Sequence, residues 1–141
     1  MNKNEIARLI DISAVRADSS TLEVQQVVDA AREHNFICVF VMPSMVDKIA
    51  DQMQELDGVL CGGVVGFPSG AETTEAKVFQ AQQLVAKKCD EIDMVINIGK
   101  LRSGLLDEVR DDILRVREVV SPLPLKVILE VALLSDEQIV T

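Results

Sequence analysis

The residue types best suited to chemistry are concentrated in Asp90-Glu91-Ile92-Asp93-Met94-Val95-Ile96-Asn97. In an extended chain, side chains alternate between two faces, so Glu91, Asp93, Val95 and Asn97 share one face and Ile92, Met94 and Ile96 the other. Carboxylates on a central strand are costly to bury without partners. Near the mouth of a barrel lumen the same groups become a site, because a held carboxylate can move protons. The alternative is a frayed strand start whose Glu91 and Asp93 pair with neighbouring helices. Lys126-Val127-Ile128-Leu129-Glu130 has a similar form, with Lys126 and Glu130 on one face. A buried lysine of depressed pKa can form a Schiff base. Lys126, however, opens its strand, and parallel barrels keep their chemistry at the C-terminal ends. The spacing therefore predicts Lys126 at the base, paired with a carboxylate, and Glu130 nearer the mouth, orienting other polar groups.

Other groups are less suited to reaction. The turn Gly66-Phe67-Pro68-Ser69-Gly70, followed by Thr73-Thr74-Glu75, resembles an anion-binding loop because it feeds a helix N-terminus. It lacks the G-K-[ST] ending of a nucleotide loop, which favours a plain strand-to-helix turn with Phe67 over the site. His34 is the only histidine and reads as a solvated residue at a helix end, so neither a Ser-His-Asp triad nor a His-rich metal site can be assembled. Cys38, Cys61 and Cys89 are odd in number, widely spaced and without a C-x-x-C pair. That argues against a disulfide framework or zinc site and for a reducing compartment, with the cytoplasm as the default expectation. Met42 and Met45, beside Pro43, are expected in the core.

The elements that must position these groups alternate along the chain. Ser20 with Glu23 three places on is a capping-box signature, followed by Leu22, Val24, Val27, Val28 and Ala31 at helical spacing. Phe36–Val41 is an apolar run of buried-strand length, and residues 44–56 read as the next helix. Strands at 59–66, 91–97 and 125–131 alternate with helices opened by Thr73 or Thr74, striped by Leu106, Val109, Ile113, Val116 and Val120, and opened again by Ser135 with Gln138. A short segment at 8–13 forms a first strand after an N-terminal helix. A strand about every 30 residues predicts parallel strands joined by right-handed crossovers. Two α/β architectures fit: strands 1–5 of an eight-stranded (β/α) barrel in the order 1-2-3-4-5, or a five-stranded flavodoxin-like doubly wound sheet in the order 2-1-3-4-5.

Composition sets outer bounds. At 141 residues, with 48% hydrophobic residues but four Phe and no Tyr or Trp, burial falls to Val, Ile, Leu and Ala. This suits buried parallel strands. A formal net charge of −9 with no basic patch argues against nucleic-acid binding. No apolar run approaches the roughly 20 residues that span a bilayer, and Met1-Asn2-Lys3-Asn4-Glu5 is not followed by a signal-peptide core.

Taken together, the segments I-D-I-S at 10–13, F-V-M-P at 40–43, G-F-P-S-G-A-E-T-T-E-A-K-V-F at 66–79, D-E-I-D-M-V-I-N-I-G at 90–99, S-G at 103–104 and K-V-I-L-E at 126–130 resemble the deoxyribose-phosphate aldolase family, in order and spacing. The resemblance implies a (β/α)8 barrel that cleaves 2-deoxy-D-ribose 5-phosphate reversibly to D-glyceraldehyde 3-phosphate and acetaldehyde. It implies a lysine Schiff base and no metal or other cofactor. Asp93 matches the family's proton-relay aspartate. Asp11 and Ser13 match an Asp-x-Thr at the end of the first strand, and Phe67 matches a substrate-side Phe. Ser13 replaces the usual Thr, Phe40 stands where many members have Cys, and Val131 stands where Thr is usual. The family's Schiff-base lysine lies on strand six and its second lysine on strand seven, so neither is expected within residues 1–141.

These expectations describe a single partial barrel domain, residues 1–141, ending before strand six. Five parallel strands with helices on one face leave an apolar inner face and two open edges. The remainder of the barrel, or a second copy in a homo-oligomer, is the expected cover. Two functions follow: an aldolase whose Schiff-base half lies outside this chain, which alone is inactive, or a non-catalytic half-barrel that serves assembly or binding.

Overall fold

The computed structural model describes residues 1–141. Five strands, β1 (Asp11–Ala14), β2 (Cys38–Val41), β3 (Leu60–Val65), β4 (Glu91–Val95) and β5 (Leu125–Ile128), form one sheet in the order β1-β2-β3-β4-β5. The registered ladders are parallel. Consecutive order is that of a barrel wall and excludes the flavodoxin-like order, in which the second strand would lie outside the first. Seven α-helices accompany the strands: α1 (Lys3–Ala7), α2 (Thr21–His34), α3 (Val46–Gln54), α4 (Thr74–Ala86), α5 (Ile98–Arg102), α6 (Leu106–Val120) and α7 (Asp136–Ile139).

The chain divides into two compact units. The first comprises Met1–Gly63 with Leu84–Glu91. The Ser20/Glu23 capping box opens α2, and Asn35 closes it in the left-handed conformation at φ 55°. Val24, Val28 and Ala31 form the buried stripe of α2. Reciprocal amide hydrogen bonds between Gln25 and Gln52 tie α2 to α3. The Arg8 guanidinium donates to the carbonyls of Phe36 (3.2 Å) and Gly58 (2.7 Å), fastening the end of α1 to two loops.

The second unit comprises Val64–Gln83 with Ile92–Thr141. Its core gathers Val95, Ile96, Ile98 and Val109, with Phe67, Leu101, Ile113, Val127, Ile128 and Leu134 packed against them. Thr73 Oγ1 accepts from Ala76 N (3.3 Å) at the start of α4, and the Ser135/Gln138 capping box opens α7.

Every strand is shorter than its apolar run. Residues 8–10 complete the turn after α1, where Leu9 and Ile10 donate backwards to Ile6 and Ala7 carbonyls, so β1 begins only at Asp11. Residues 96–97 leave β4 because Asn97 becomes the N-cap of α5, its side chain accepting from Lys100 N (3.0 Å). Residues 129–131 leave β5 because Glu130 turns into the left-handed region at φ 54° and starts a 3₁₀ turn, Val131–Leu133. Met42 and Met45, expected in the core, are half-buried on the loop around the 3₁₀ turn Pro43–Met45.

The turn after β3 demands glycine at Gly70, which has φ +67° and donates to the Gly66 carbonyl at 2.6 Å. A Cβ at Gly70 would overlap the carbonyl oxygen of Ile96. Gly104 has a similar φ of +73° with nothing within 4 Å of its Cβ direction. Gly104→Ala should therefore cost about 1–2 kcal/mol, the left-handed penalty alone. Gly70→Ala should cost more than about 3 kcal/mol. Urea unfolding of the two variants checks the ranking, and equal losses would show that the Ile96 contact relaxes freely.

Candidate functional site

The polar face of β4 forms as the alternation requires. Glu91 is buried, Asp93 half-buried and Val95 buried on one face, while Ile92 and Met94 fill the other. The parallel ladder pairs Asp93 with Lys126, flanked by Ile92 with Leu125 and Met94 with Val127. Paired residues of adjacent strands point to the same face, so an acid and a base of opposite charge stand side by side on it. The sequence pattern predicts Lys126 low on its strand and beside a carboxylate, and Asp93 is the acidic residue level with it. Lys126 is the second residue of β5, not the first, and because β5 begins one pairing level above the start of β4 it meets Asp93, the third residue of that strand. A carboxylate acceptor beside an ammonium donor can take up and return a proton at one place.

The other expected site residues are distributed as follows. Asp11 is the first residue of β1, not the last, and is exposed. It is level with Cys38 on β2. One donor atom each from Asp11, Cys38 and Glu91 lies within 4.8 Å of the others, a mixed oxygen and sulfur set of the kind that can hold a divalent cation. Ser13 is exposed and level with Phe40, which is level in turn with Gly62. Any Cβ on Gly62 would overlap the Phe40 ring, so this large side chain is accommodated by a missing one on the next strand. Phe67 is half-buried against the core of the second unit. Glu130 is exposed, beyond the end of β5, and caps the 3₁₀ turn instead of lying on the strand face.

The Gly66–Gly70 turn is a plain connection. Gly66 N donates to Gln80 Oε1 (2.8 Å), Gly70 N to Gly66 O and Ala71 N to Ser69 Oγ, so these donors are consumed internally. The 610 Å³ cavity beyond it is lined by Glu72, Glu75, Asp107, Glu108 and Asp111. Its two cations are already paired, Lys100 with Glu108 and Arg115 with Glu75, each at 2.8 Å. Five carboxylates against two paired cations repel an anion. His34 is exposed at the last position of α2, as expected, and its ring stacks obliquely on Phe36 at 5.5 Å.

The residue that sequence reasoning passed over is Lys77. It is fully buried on α4 and bonded to Asp112 Oδ2 of α6 at 2.6 Å and to the Val95 carbonyl of β4 at 2.9 Å. The signal was present in both helices. Lys77 lies at i, i+4, i+7 spacing with the buried Ala81 and Leu84, and Asp112 lies between the buried Val109 and Val116. Opposite charges on two successive apolar stripes require one another.

With this geometry in place, comparison with known proteins is informative. A model of the DeoC/LacD family aldolases matches residues 7–140. The chain belongs to this aldolase family. It is 44% identical over 138 residues to the deoxyribose-phosphate aldolase of Klebsiella pneumoniae, covering 96% of this chain and 55% of that protein. It is 42% identical to that of Sinorhizobium medicae, again covering 55% of the relative. Among solved structures, a provisionally assigned deoxyribose-phosphate aldolase from Coccidioides immitis superposes with a TM-score of 0.94 at 28% identity, over 99% of this chain and 55% of that one. The tetrameric deoxyribose phosphate aldolase of Aeropyrum pernix superposes with a TM-score of 0.82 at 26% identity, over 97% and 57%. The chain thus spans about half the length of the curated relatives it matches. No helix is long and apolar enough to cross a membrane.

Removing one partner of a buried pair leaves an uncompensated charge. Lys77→Met should destabilise the chain by about 3–5 kcal/mol, and Lys77→Met with Asp112→Leu should recover most of that loss. Urea titration of the single and double variants measures the coupling. A double variant as unstable as the single would show that the Val95 carbonyl, not Asp112, is the indispensable partner.

Proposed function

We propose that this chain supplies the first five strands of a (β/α)8 deoxyribose-phosphate aldolase, whose Schiff-base lysine is contributed from outside residues 1–141. The reaction is reversible cleavage of 2-deoxy-D-ribose 5-phosphate to D-glyceraldehyde 3-phosphate and acetaldehyde. The observation that carries this reading is the pairing of Asp93 with Lys126 across β4 and β5, within a chain of established aldolase family. Carbon–carbon cleavage at a Schiff base needs a proton removed from the substrate hydroxyl and one returned to the enamine carbon. Asp93 is assigned that transfer, and the neighbouring Lys126 ammonium donates to its carboxylate and holds its orientation. Asp11, Ser13 and Phe67 are assigned to the substrate side. Glu130, being exposed beyond its strand, is assigned the lesser part of ordering the loop after β5.

A second reading, assembly without catalysis, draws on the apolar side chains of the last segment. Leu129, Val131, Leu133, Ile139 and Val140 are all exposed. Clustered apolar exposure on this scale marks a surface that another polypeptide covers. For the 141-residue chain this cover is either the remainder of the barrel or a second copy. Sedimentation of the isolated chain at micromolar concentration should show dimers or larger species, and a well-folded monomer that binds no hydrophobic dye would refute the expectation.

The catalytic reading is tested in a barrel completed with the C-terminal part of a relative. Asp93→Asn preserves volume and removes the base, and general acid–base contributions are about 10²–10⁴-fold in rate. Turnover should fall by that amount with the fold intact. Borohydride in the presence of acetaldehyde should label the completed barrel and leave the 141-residue chain unlabelled. Labelling of the short chain at Lys126, or normal turnover by Asp93→Asn, would overturn the assignment of roles.

A further inference from the structure

Apart from the polar face of β4, the molecule holds a second set of reactive side chains, the thiols of Cys61 and Cys89. Asp90 N donates to the Cys61 carbonyl at 2.7 Å, and the Asp90 carboxylate accepts from Cys61 N at 2.8 Å. Both backbone groups of Cys61 are therefore anchored to the residue that follows Cys89. This ladder contact places Cys61 and Cys89 at neighbouring-strand spacing, about 4.8 Å. That lies within the Cα separation of about 4.4–6.8 Å that a disulfide can bridge. The direction of the Cys89 side chain is fixed independently by Gly63, which shares a face of β3 with Cys61. The Cys89 sulfur lies 3.2 Å from where a Gly63 Cβ would stand, so it lies over β3 on the Cys61 side.

Both cysteines are buried, yet Cys61 helps line a surface cavity of 380 Å³ together with Met53, Lys88 and Asp90. Hydrogen peroxide is small enough to enter it. Cys38, the third thiol, is also buried and does not line this cavity.

We propose that Cys61 and Cys89 are a redox-active dithiol that hydrogen peroxide converts to an intramolecular disulfide. The Cys61 thiolate attacks one peroxide oxygen, an S–O bond forms, the O–O bond breaks, and the departing hydroxide takes up the Cys61 proton as water. The Cys89 sulfur then attacks the sulfenic sulfur, the S–S bond forms, and the second oxygen leaves as water with the Cys89 proton. Two thiols lose two electrons and one peroxide gains them, so the step is balanced. A reducing dithiol reverses it.

The test is mild peroxide treatment of the native 141-residue chain, alkylation of the remaining thiols, and mass mapping without reduction. The expected result is a loss of about 2 Da before alkylation. A linked Cys61–Cys89 peptide should appear, Cys38 should be alkylated, and dithiothreitol should restore all three thiols. In both Cys89→Ser and Cys89→Ala, Cys61 should stop at a dimedone-reactive sulfenic acid, with circular dichroism confirming the fold. Preferential oxidation of Cys38, linkage only after unfolding in urea, or a Cys61 inert to dimedone in both folded variants would overturn the proposal.

Discussion

A single buried ion pair carries the second unit of this chain. Lys77 is excluded from water, and its ammonium holds Asp112 Oδ2 and the Val95 carbonyl together. A charge in such surroundings is tolerable only with partners, so α4, α6 and the end of β4 must meet at one point or the unit loses several kcal/mol. Val95 lies two residues beyond Asp93, on the same face of the strand. The stretch of β4 that carries Asp93 is therefore tied to the helix layer through the Val95 carbonyl. The second Asp112 oxygen, Oδ1, is buried with no protein partner, which makes the pair a poorer contributor to net stability than to uniqueness of packing.

Much of this architecture was legible in the sequence, because the signals were periodic. The five apolar runs each produced a strand, and the capping boxes at Ser20 and Ser135 opened helices where they stood. Consecutive strand order could not be read from periodicity, which is the same for a barrel wall and a doubly wound sheet; the family motifs pointed to the former. Strand ends were read too generously because a side chain at each end serves a competing local structure, as Asn97 does in capping α5. Of the candidate site, the Asp93 face was legible from alternation alone. Its pairing with Lys126 was not, since register depends on where each strand starts and a shift of two residues leaves every side chain on the same face. Lys77 was missed for a different reason: a lysine in a helix is ordinarily solvated, and only a matching Asp112 on the next long helix marks it as buried.

One large side chain of the sheet is accommodated by a neighbouring glycine. Phe40 brings a ring to a position level with Ser13, and the neighbouring strand answers with Gly62, where no side chain could stand beside that ring. Phe40 is itself buried, so the ring packs within the fold, and the backbone ladder beside Ser13 is undisturbed.

The consecutive order of the sheet has a consequence for biogenesis. Every ladder joins a strand to the one synthesised next, as Asp11 pairs with Cys38 and Ile92 with Leu125, so no strand waits for a distant partner. Loop closure is short at each addition, and the wall can lengthen one strand at a time as the chain leaves the ribosome. The growing edge is then always the newest strand, and the time for which it stays open is set by the rate of translation.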